Sequence, residues 1–362
     1  MDDPYVVIMA GGRGERFWPQ SRLRRPKHLL PIVGDTSMLA QTVARLEGLV
    51  PPERIFVVTN LEQREATLEA CPSLLPNHVV GEPVGRDTAA AVGLAAILVN
   101  RASADAVFAI LPADHLIEQA ERFRGVLRTA FEAAAREEIL VTIGVLPTEP
   151  ATGYGYVQRG ESLFDLQGRD VYAVKRFVEK PDLDTASQYL ESGDYFWNAG
   201  MFVWRPSVIL AALQEYVPDL RAGLQELEDV WRLEDDLDDG MDKVYPDLPR
   251  ISIDYAVMEK APNVVTVESD FDWDDVGEWP AVARHFPADQ AGNVTRGKVV
   301  SLDSQGNLVI SPEGRLTALL GVKDLIVVET ADATLICHRD QAQEVKRLAK
   351  EISRREDGAN WT

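Results

Sequence analysis

A glycine-rich turn directly after an apolar run is the feature that most limits what this chain can fold into. Residues 5–8 read Tyr-Val-Val-Ile, and Gly11, Gly12 and Gly14 follow almost at once. A short, largely β-branched run that ends in glycines is typical of a buried parallel strand entering a tight turn, where backbone N–H groups can approach an anion. The sequence therefore predicts a phosphate-binding loop here, and we call residues 11–27 the glycine loop.

The glycine loop differs from the two best-known phosphate motifs. A dinucleotide-binding turn needs a third glycine where Arg16 stands. A P-loop closes with Gly-Lys-Ser/Thr, whereas this turn continues into Phe17. An ordinary turn with solvated arginines would explain the glycines, but it would not explain why Arg13, Arg16 and Lys27 crowd them in a chain of net charge -21. We therefore expect phosphate binding by another geometry, in which these cations take part.

Composition limits the range of partners. The chain has 362 residues, of which 46% are hydrophobic and 26% charged, which suits one large domain and a smaller one. Its acidic excess argues against a broad basic surface for nucleic acid. Neither a membrane-spanning stretch nor a secretory signal is visible in the sequence. We expect a cytoplasmic protein that binds small molecules, without a nucleic-acid or membrane partner.

Strand-like and helical segments alternate through the first part of the chain. This alternation predicts an α/β fold with a mainly parallel, Rossmann-like sheet flanked by helices, in which ligands lie beyond the carboxyl ends of the strands. We assign residues 1–287 to this domain. The predicted strands are residues 5–8, 55–58, 106–111 and 139–145, and the predicted helices lie near residues 37–48, 62–71, 87–102 and 119–137.

After residue 288 the pattern changes to short strand-like segments separated by turn residues. Residues 341–353 then show apolar side chains at helical spacing with basic neighbours, which predicts a closing amphipathic helix. We assign residues 288–362 to a small β domain with this helix. Its expected role is packing or assembly into a homodimer, since no pattern in it indicates chemistry. The predicted strands are residues 297–302, 307–311, 316–320, 324–329 and 333–337.

Two carboxylates far apart in sequence are candidate metal ligands. Asp114 follows a buried strand, and residues 271–279 supply Asp275 with its neighbours Asp272 and Asp274. If they converge they could hold one Mg²⁺, because Mg²⁺ prefers one or two carboxylates together with substrate phosphates and water. Asp114 alone could equally be a helix cap or a turn residue. The spacing does not decide whether Asp272 or Asp274 shares the role of Asp275.

Three further segments suggest a sugar-phosphate site. In residues 177–181, Glu179 could accept hydrogen bonds from sugar hydroxyls and Lys180 could meet a phosphate, although Glu-Lys-Pro alone is an ordinary surface turn. Residues 152–156 combine glycines with tyrosines, and residues 197–202 set Asn198 before a glycine. The aromatic residues there could simply belong to the core.

Taken in order, these motifs resemble the sugar nucleotidyltransferases, and within them most closely the mannose-1-phosphate guanylyltransferases. The resemblance extends over nearly the whole chain. It implies a nucleotide-diphospho-sugar transferase fold with a β-helix-like C-terminal domain. Longer relatives carry an isomerase domain beyond this point, so isomerase activity is not expected. The motifs are residues 11–16 with 26–27, 85–88, 112–114, 177–181, 197–200 and 273–277.

The resemblance implies that GTP and α-D-mannose 1-phosphate give GDP-mannose and pyrophosphate with Mg²⁺ as cofactor. A phosphate oxygen of the sugar would attack the α-phosphorus in line and expel pyrophosphate. Because a phosphate monoester has a second pKa of about 6, the attacking group is largely dianionic at neutral pH and needs no general base. Catalysis would then depend on positioning and charge neutralisation, which agrees with the absence of a Ser-His-Asp or Cys-His pattern.

The resemblance implies a role for each residue that matches a family motif. The nucleotide-binding residues would be Ala10, Gly11, Gly12, Gly14, Gly85, Asp87 and Thr88. Arg16 and Lys27 would neutralise the triphosphate, Lys180 would meet the sugar phosphate, and Asp114 and Asp275 would hold Mg²⁺. The sugar-binding residues would be Gly153, Glu179, Asn198 and Asp254.

Base selection depends on which hydrogen-bonding groups face the base. Guanine offers donors at N1 and N2, so a site that selects it needs acceptors, and Glu82 could supply a carboxylate, with backbone carbonyls as rivals. Asp87 and Ala90 stand where relatives commonly have asparagine and proline, which leaves the fine nucleotide preference open.

Two alternatives remain. One is the same reaction with another sugar phosphate or nucleotide, such as glucose 1-phosphate or dTTP. The other is a catalytically silent homologue that binds sugar nucleotides and regulates an assembly. Retention of Lys27, Asp114, Lys180 and Asp275 together argues against the second alternative.

Overall fold

A nine-stranded sheet organises the larger part of the molecule. The structure, a computed structural model, describes residues 3–166, 168–234 and 237–362, with the side chain of Glu234 left out. The strands of this sheet are β1 (Tyr5–Ala10), β2 (Ile55–Asn60), β3 (Val79–Glu82), β4 (Phe108–Pro112), β5 (Leu140–Val145), β6 (Tyr156–Leu166), β7 (Arg169–Val178), β8 (Tyr195–Trp204) and β9 (Val264–Glu268).

The sheet has the order β3-β2-β1-β4-β8-β5-β9-β7-β6. Strands β3, β2, β1 and β4 are mutually parallel, as are β5 and β9. Strand β8 runs antiparallel to β4 and β5, and β7 runs antiparallel to β9 and β6. The predicted α/β fold with a sheet dominated by parallel strands is confirmed, and β8 inserts as an antiparallel strand between β4 and β5.

Helices cover both faces of this sheet. They are α1 (Met38–Arg45), α2 (Arg64–Ala70), α3 (Asp87–Ala102), α4 (Ala120–Arg136), α5 (Leu183–Ser192), α6 (Pro206–Tyr216), α7 (Pro218–Glu234), α8 (Leu237–Val244) and α9 (Trp279–Ala283). Successive residues of β1 point to opposite faces, so Val6 packs in a cluster with Phe123 of α4, whereas Val7 packs in a second cluster with Val92 of α3. This double burial explains why β1 is a continuous apolar run.

The C-terminal strands form a small β-helix. They are β10 (Val294–Arg296), β11 (Lys298–Leu302), β12 (Leu308–Ile310), β13 (Leu316–Leu320), β14 (Leu325–Glu329) and β15 (Thr334–His338), and the helix α10 (Val345–Ser353) follows. One sheet has the order β10-β12-β14-β15 and the other pairs β11 with β13. All these pairings are parallel except that of β14 with β15. The predicted β-helix-like domain and closing helix are thus confirmed.

The β-helix packs directly against the glycine loop. Phe17 and Trp18 share a buried cluster with Ile326 of β14 and with Val345 and Ala349 of α10. The indole Nε1 of Trp18 also donates to the carbonyl of Trp361, near the C-terminus, at 2.7 Å. The loop at the start of the chain is therefore supported by the end of the chain. None of the helices in the described ranges combines the length and hydropathy that a membrane span requires.

Candidate active site

The candidate site is a cleft of about 1130 Å³ that opens at the carboxyl ends of the central parallel strands. This is the edge where ligands lie in open α/β sheets. Most of the residues proposed from sequence line it: Gly11, Gly12, Gly14, Arg16, Lys27, Glu82, Gly85, Asp87, Thr88, Asp114, Gly153, Glu179, Asn198, Asp254 and Asp275. Ala10 and Lys180 do not line the cleft: Ala10 is buried at the end of β1, and the Lys180 ammonium pairs with the Glu179 carboxylate.

The glycine loop folds tightly over Lys27. Gly14 has φ 61°, and a Cβ atom there would lie 2.6 Å from the Cβ of Lys27. Any side chain at position 14 would therefore meet both backbone strain and a steric clash. The hydroxyl of Ser21 donates to the Gly14 carbonyl at 2.6 Å and holds the turn closed. The loop conformation thus depends on the glycine that the sequence supplies.

Lys27 joins the two carboxylate residues predicted to bind metal. Its buried ammonium donates to Asp114 Oδ2 at 2.9 Å, to the Asp114 carbonyl at 2.9 Å and to the Asp275 carbonyl at 2.7 Å. An ammonium has three donors, so all of them are used within the protein. Burial acts to raise the pKa of Asp114, but the positive charges of Lys27 and His115 outweigh it and lower this pKa to about 2. Asp114 is therefore held as a carboxylate at neutral pH.

Backbone pairing brings Asp275 to the same place. Leu116 and Asp274 form an isolated antiparallel bridge, with N–H to carbonyl distances of 2.9 and 3.1 Å. The predicted convergence of the segments around Asp114 and Asp275 is thus observed. Asp275 Oδ1 accepts hydrogen bonds from the Tyr154 hydroxyl at 2.9 Å and from Gly277 N at 3.1 Å. Both contacts fix the orientation of the Asp275 carboxylate.

The neighbouring aspartates serve other contacts. Asp272 accepts from the backbone N–H groups of Glu118 and Gln119, at 2.8 and 2.7 Å, directly before α4. Asp274 Oδ2 lies 2.9 Å from both Arg284 Nη2 and His285 Nε2. Of the three aspartates, Asp275 is the one that lines the cleft.

Asp114 and Asp275 supply the type of donor that a magnesium ion prefers. Within the described residues, Asp114 Oδ1 and Asp275 Oδ2 accept no hydrogen bond, so each carboxylate keeps an oxygen for a ligand. The described residues contain no group of three or more His, Cys, Asp or Glu side chains that could form a complete metal cage. A two-carboxylate site that relies on substrate phosphates for its remaining ligands is the arrangement Mg²⁺ prefers.

Polar side chains form a network at the proposed sugar end of the cleft. Asn198 Nδ2 donates to Asp254 Oδ1 at 3.0 Å, and Asn198 Oδ1 accepts from Thr142 Oγ1 at 3.1 Å. Burial and the charge of Glu179 raise the pKa of Asp254 to about 6. These groups can accept and donate hydrogen bonds to hydroxyls, which suits a sugar.

Glu82 lies at the proposed base end of the cleft. It is 6% exposed and accepts a hydrogen bond from the Tyr245 hydroxyl at 2.5 Å. Burial raises the pKa of Glu82 to about 7, although the hydrogen bond from Tyr245 acts in the opposite direction. Nearby, Thr88 Oγ1 accepts from Ile253 N at 2.8 Å, and Asp87 has φ 66°, a conformation that Asp and Asn adopt more readily than most residues.

The cleft residues that were not proposed from the sequence include Tyr154, Gly155, Lys346 and Lys350. A Cβ atom at Gly155 would lie 2.5 Å from Glu179 Oε2, whereas one at Gly153 would meet nothing within 4 Å. The Gly-Tyr-Gly-Tyr pattern of residues 153–156 was the available signal for the first two. For the lysines, the signal was their spacing of four residues on a basic helix.

Comparisons with known proteins agree with this geometry. The model of the nucleotidyl transferase family matches residues 5–292, and that of the MannoseP isomerase/GMP-like beta-helix domain matches residues 297–352. A mannose-1-phosphate guanylyltransferase of Klebsiella pneumoniae is 41% identical over 352 residues, which cover 95% of this chain and 73% of the relative. One of Escherichia coli is 40% identical with the same coverage. A crystal structure of a protein named mannose-1-phosphate geranyltransferase from Thermus thermophilus matches with a TM-score of 0.85 and 37% identity, covering 97% of this chain and 99% of that one.

Proposed function

The chain belongs to the nucleotidyl transferase family, and on that premise we propose that it transfers GMP from GTP to α-D-mannose 1-phosphate, giving GDP-mannose and pyrophosphate. One observation carries the proposal. A single cleft joins a glycine-rich cationic loop, a pair of carboxylates and a polar network suited to a sugar, in a chain 41% identical to a mannose-1-phosphate guanylyltransferase.

The proposed reaction is a direct displacement. A phosphate oxygen of mannose 1-phosphate forms a bond to the α-phosphorus of GTP, and the bond from that phosphorus to the bridging oxygen of pyrophosphate breaks. No side chain needs to become a nucleophile or to remove a proton, because the sugar phosphate is largely dianionic near neutral pH. The protein's contribution is to align the two substrates and to neutralise their charges.

We assign the roles by position in the cleft, except those of Ala10 and Lys180, which do not line it and whose roles rest on the resemblance to mannose-1-phosphate guanylyltransferases. Gly11, Gly12 and Gly14 present backbone N–H groups to the triphosphate, and Ala10, Gly85, Asp87 and Thr88 complete the nucleotide site. Arg16 neutralises the phosphates directly. Lys27 contributes positive charge near the phosphates while it stays paired with Asp114, since its three hydrogen bonds are already made inside the protein.

Asp114 and Asp275 would hold Mg²⁺, which when bound neutralises phosphate charge and orients the triphosphate. Glu179, Asn198, Asp254 and Gly153 would contact mannose, and Lys180 its phosphate. Glu82 would accept a hydrogen bond from guanine. Residues 1–287 would form the catalytic domain and residues 288–362 the packing domain. A cytoplasmic location and a homodimer through the second domain belong to the same proposal.

Pyrophosphate release tests the proposal. The purified protein is incubated with Mg²⁺, with each of GTP, ATP, UTP and dTTP, and with mannose 1-phosphate or glucose 1-phosphate. Release confined to GTP and mannose 1-phosphate, and lost in Asp275→Asn, is the expected result. Release with another pair would keep the mechanism and overturn the substrates. No release with any pair would favour the silent homologue.

A further inference from the structure

Helix α10 of the C-terminal domain lies directly on the glycine loop. Val345 and Ala349 on one side of this helix are buried in the cluster that contains Phe17 and Trp18. Phe17 ends the short 3₁₀ turn Glu15–Phe17 that follows Gly14. The apolar side of α10 thus determines where its charged side chains lie relative to the phosphate-binding turn.

Two lysines of α10 enter the wall of the active-site cleft. Lys346 and Lys350 both line the cleft, and their spacing of four residues places them on the same side of the helix. The Lys350 ammonium lies 3.9 Å from the Glu15 carboxylate, and the Lys350 side chain is 62% exposed. A loose, exposed contact of this kind contributes little to stability, so Lys350 remains available to an anionic ligand, and the Lys346 side chain is exposed as well.

The end of the cleft that they join is built for a highly charged anion. Arg13 and Arg16 line it as well, in a protein of net charge -21. The Nε atom of Arg16 is buried and finds no hydrogen-bond partner among the described residues, although buried donors are normally paired. Lys27 cannot provide a further contact without giving up one of its three internal hydrogen bonds. Binding of a triphosphate therefore needs cations beyond Lys27.

We propose that Lys346 and Lys350 bind the phosphates of the nucleoside triphosphate and of the leaving pyrophosphate, so that the C-terminal domain completes the active site. The inference rests on the proposed function, because it requires a triphosphate substrate. It assigns to residues outside the nucleotidyltransferase domain a direct part in substrate binding. It also gives a functional role to the packing of α10 on Phe17 and Trp18.

The experiment compares Lys346→Gln, Lys350→Gln and the double variant with Arg347→Gln. Arg347 is a matched control because it lies on the same helix, has an 85% exposed side chain, and pairs with Glu344 rather than lining the cleft. Calorimetry gives the dissociation constants of GTP and of inorganic pyrophosphate with Mg²⁺ at two salt concentrations. We expect the double variant to bind both about tenfold more weakly, with a smaller salt dependence, since two exposed charge contacts are lost.

A second readout separates binding from folding. The melting temperature and the KM for mannose 1-phosphate should stay unchanged in the double variant, and Lys346→Arg with Lys350→Arg should restore pyrophosphate binding. Equal affinities in the double variant and Arg347→Gln would overturn the inference while leaving the proposed function intact. Tight pyrophosphate binding with another nucleotide as substrate would overturn the proposed function and keep the inference. A wild-type protein that binds neither GTP nor pyrophosphate would overturn both.

Discussion

Burial affects the carboxyl groups of the phosphate end differently from those of the recognition end, the name used here for the proposed sugar end and the proposed base end together. At the phosphate end, the charges of Lys27 and His115 overcome burial and lower the pKa of Asp114 to about 2. At the recognition end, burial raises the pKa of Asp254 to about 6, with help from Glu179, and raises that of Glu82 to about 7. The difference arises from neighbours: a buried ammonium touches the first carboxylate, whereas the others face a like charge or a phenol.

This contrast separates the roles of the two ends. A carboxylate that must bind a cation has to remain ionised throughout the physiological range, and the contact with Lys27 secures this for Asp114. Groups that only exchange hydrogen bonds with hydroxyls or a base can titrate closer to neutrality. Changes in pH should therefore affect substrate recognition before they affect the carboxylates proposed to hold the metal.

The largest effect should come from the phosphate end. Asp275→Asn removes a proposed metal ligand, and we expect kcat to fall by more than about a hundredfold, because changes in groups that merely support a ligand already have effects of about 10- to 100-fold. The melting temperature should stay close to that of the wild type, since the asparagine oxygen can still accept hydrogen bonds from Tyr154 and Gly277. Steady-state kinetics and calorimetric melting measure the two effects.

Asp274→Asn is the matched control for this variant. Its carboxylate contacts Arg284 and His285 outside the cleft, so we expect a lower melting temperature and a kcat within about threefold of wild type. If Asp274→Asn lost as much activity as Asp275→Asn, the assignment of the metal site to Asp275 would fail.

At the recognition end, Gly155→Ala should weaken the use of the sugar phosphate. The added Cβ would lie 2.5 Å from Glu179 Oε2. The carboxylate must move, and misplacement of a contact by about 1 Å can lower the rate up to about a hundredfold. We expect kcat/KM for the sugar phosphate to fall about 30-fold, with little change in the KM for GTP. Gly153→Ala, where a Cβ meets nothing within 4 Å, should be close to wild type. Equal kinetics in the two variants would contradict the sugar site.

The parts that could be predicted from sequence are those that depend on local pattern. Strands β1, β2, β4 and β5 are buried, nearly continuous apolar runs, and their ends located the glycine loop and Asp114. By contrast, β8 contains Asn198 and Gly200 in its interior, so it read as a motif rather than a strand. The antiparallel strand β6 has many exposed positions and lacked a continuous apolar signal.

The missed site residues depend on contacts between distant segments. Tyr154 acts on Asp275, which is 121 positions away, and nothing near Tyr154 in the sequence indicates that contact. Lys346 and Lys350 reach the cleft only because α10 packs on Phe17 and Trp18, near the opposite end of the chain. A basic amphipathic helix can be read from sequence, but the surface on which it packs cannot.

Tyr154→Phe tests whether activity depends on the orientation of the Asp275 carboxylate and not only on its charge. The variant keeps the aromatic contacts with Trp197 and Trp273 but removes the hydrogen bond to Asp275. We expect about a tenfold loss of kcat with a raised requirement for Mg²⁺. Tyr156→Phe is the control, because it loses a similar hydrogen bond, to the Ala151 carbonyl at 3.0 Å, away from the metal ligands. If the two variants required the same concentration of Mg²⁺, the proposed role of Tyr154 in orienting Asp275 would be contradicted.

The smallest effect, and the sharpest test of the contrast, is the pH dependence of base selection. A pKa of about 7 means that about a tenth of Glu82 is ionised at pH 6 and about nine tenths at pH 8. If the carboxylate accepts from guanine, the ratio of the association constant for GTP to that for ATP should rise by at most about tenfold over this interval. Titration of the phosphates cancels in the ratio, because both nucleotides carry the same triphosphate.

Two variants decide whether Glu82 causes this rise. Glu82→Gln should make the ratio independent of pH, since the amide does not titrate. In Tyr245→Phe the midpoint should move to higher pH, because the lost hydrogen bond acts to lower the pKa of Glu82 and burial would remain without opposition. A rise that persists in Glu82→Gln would mean that another titrating group causes it, and the assignment of base selection to Glu82 would fail. If the ratio in the wild-type protein does not change with pH, base recognition does not depend on the titration of Glu82. The contrast between the two ends would then disappear.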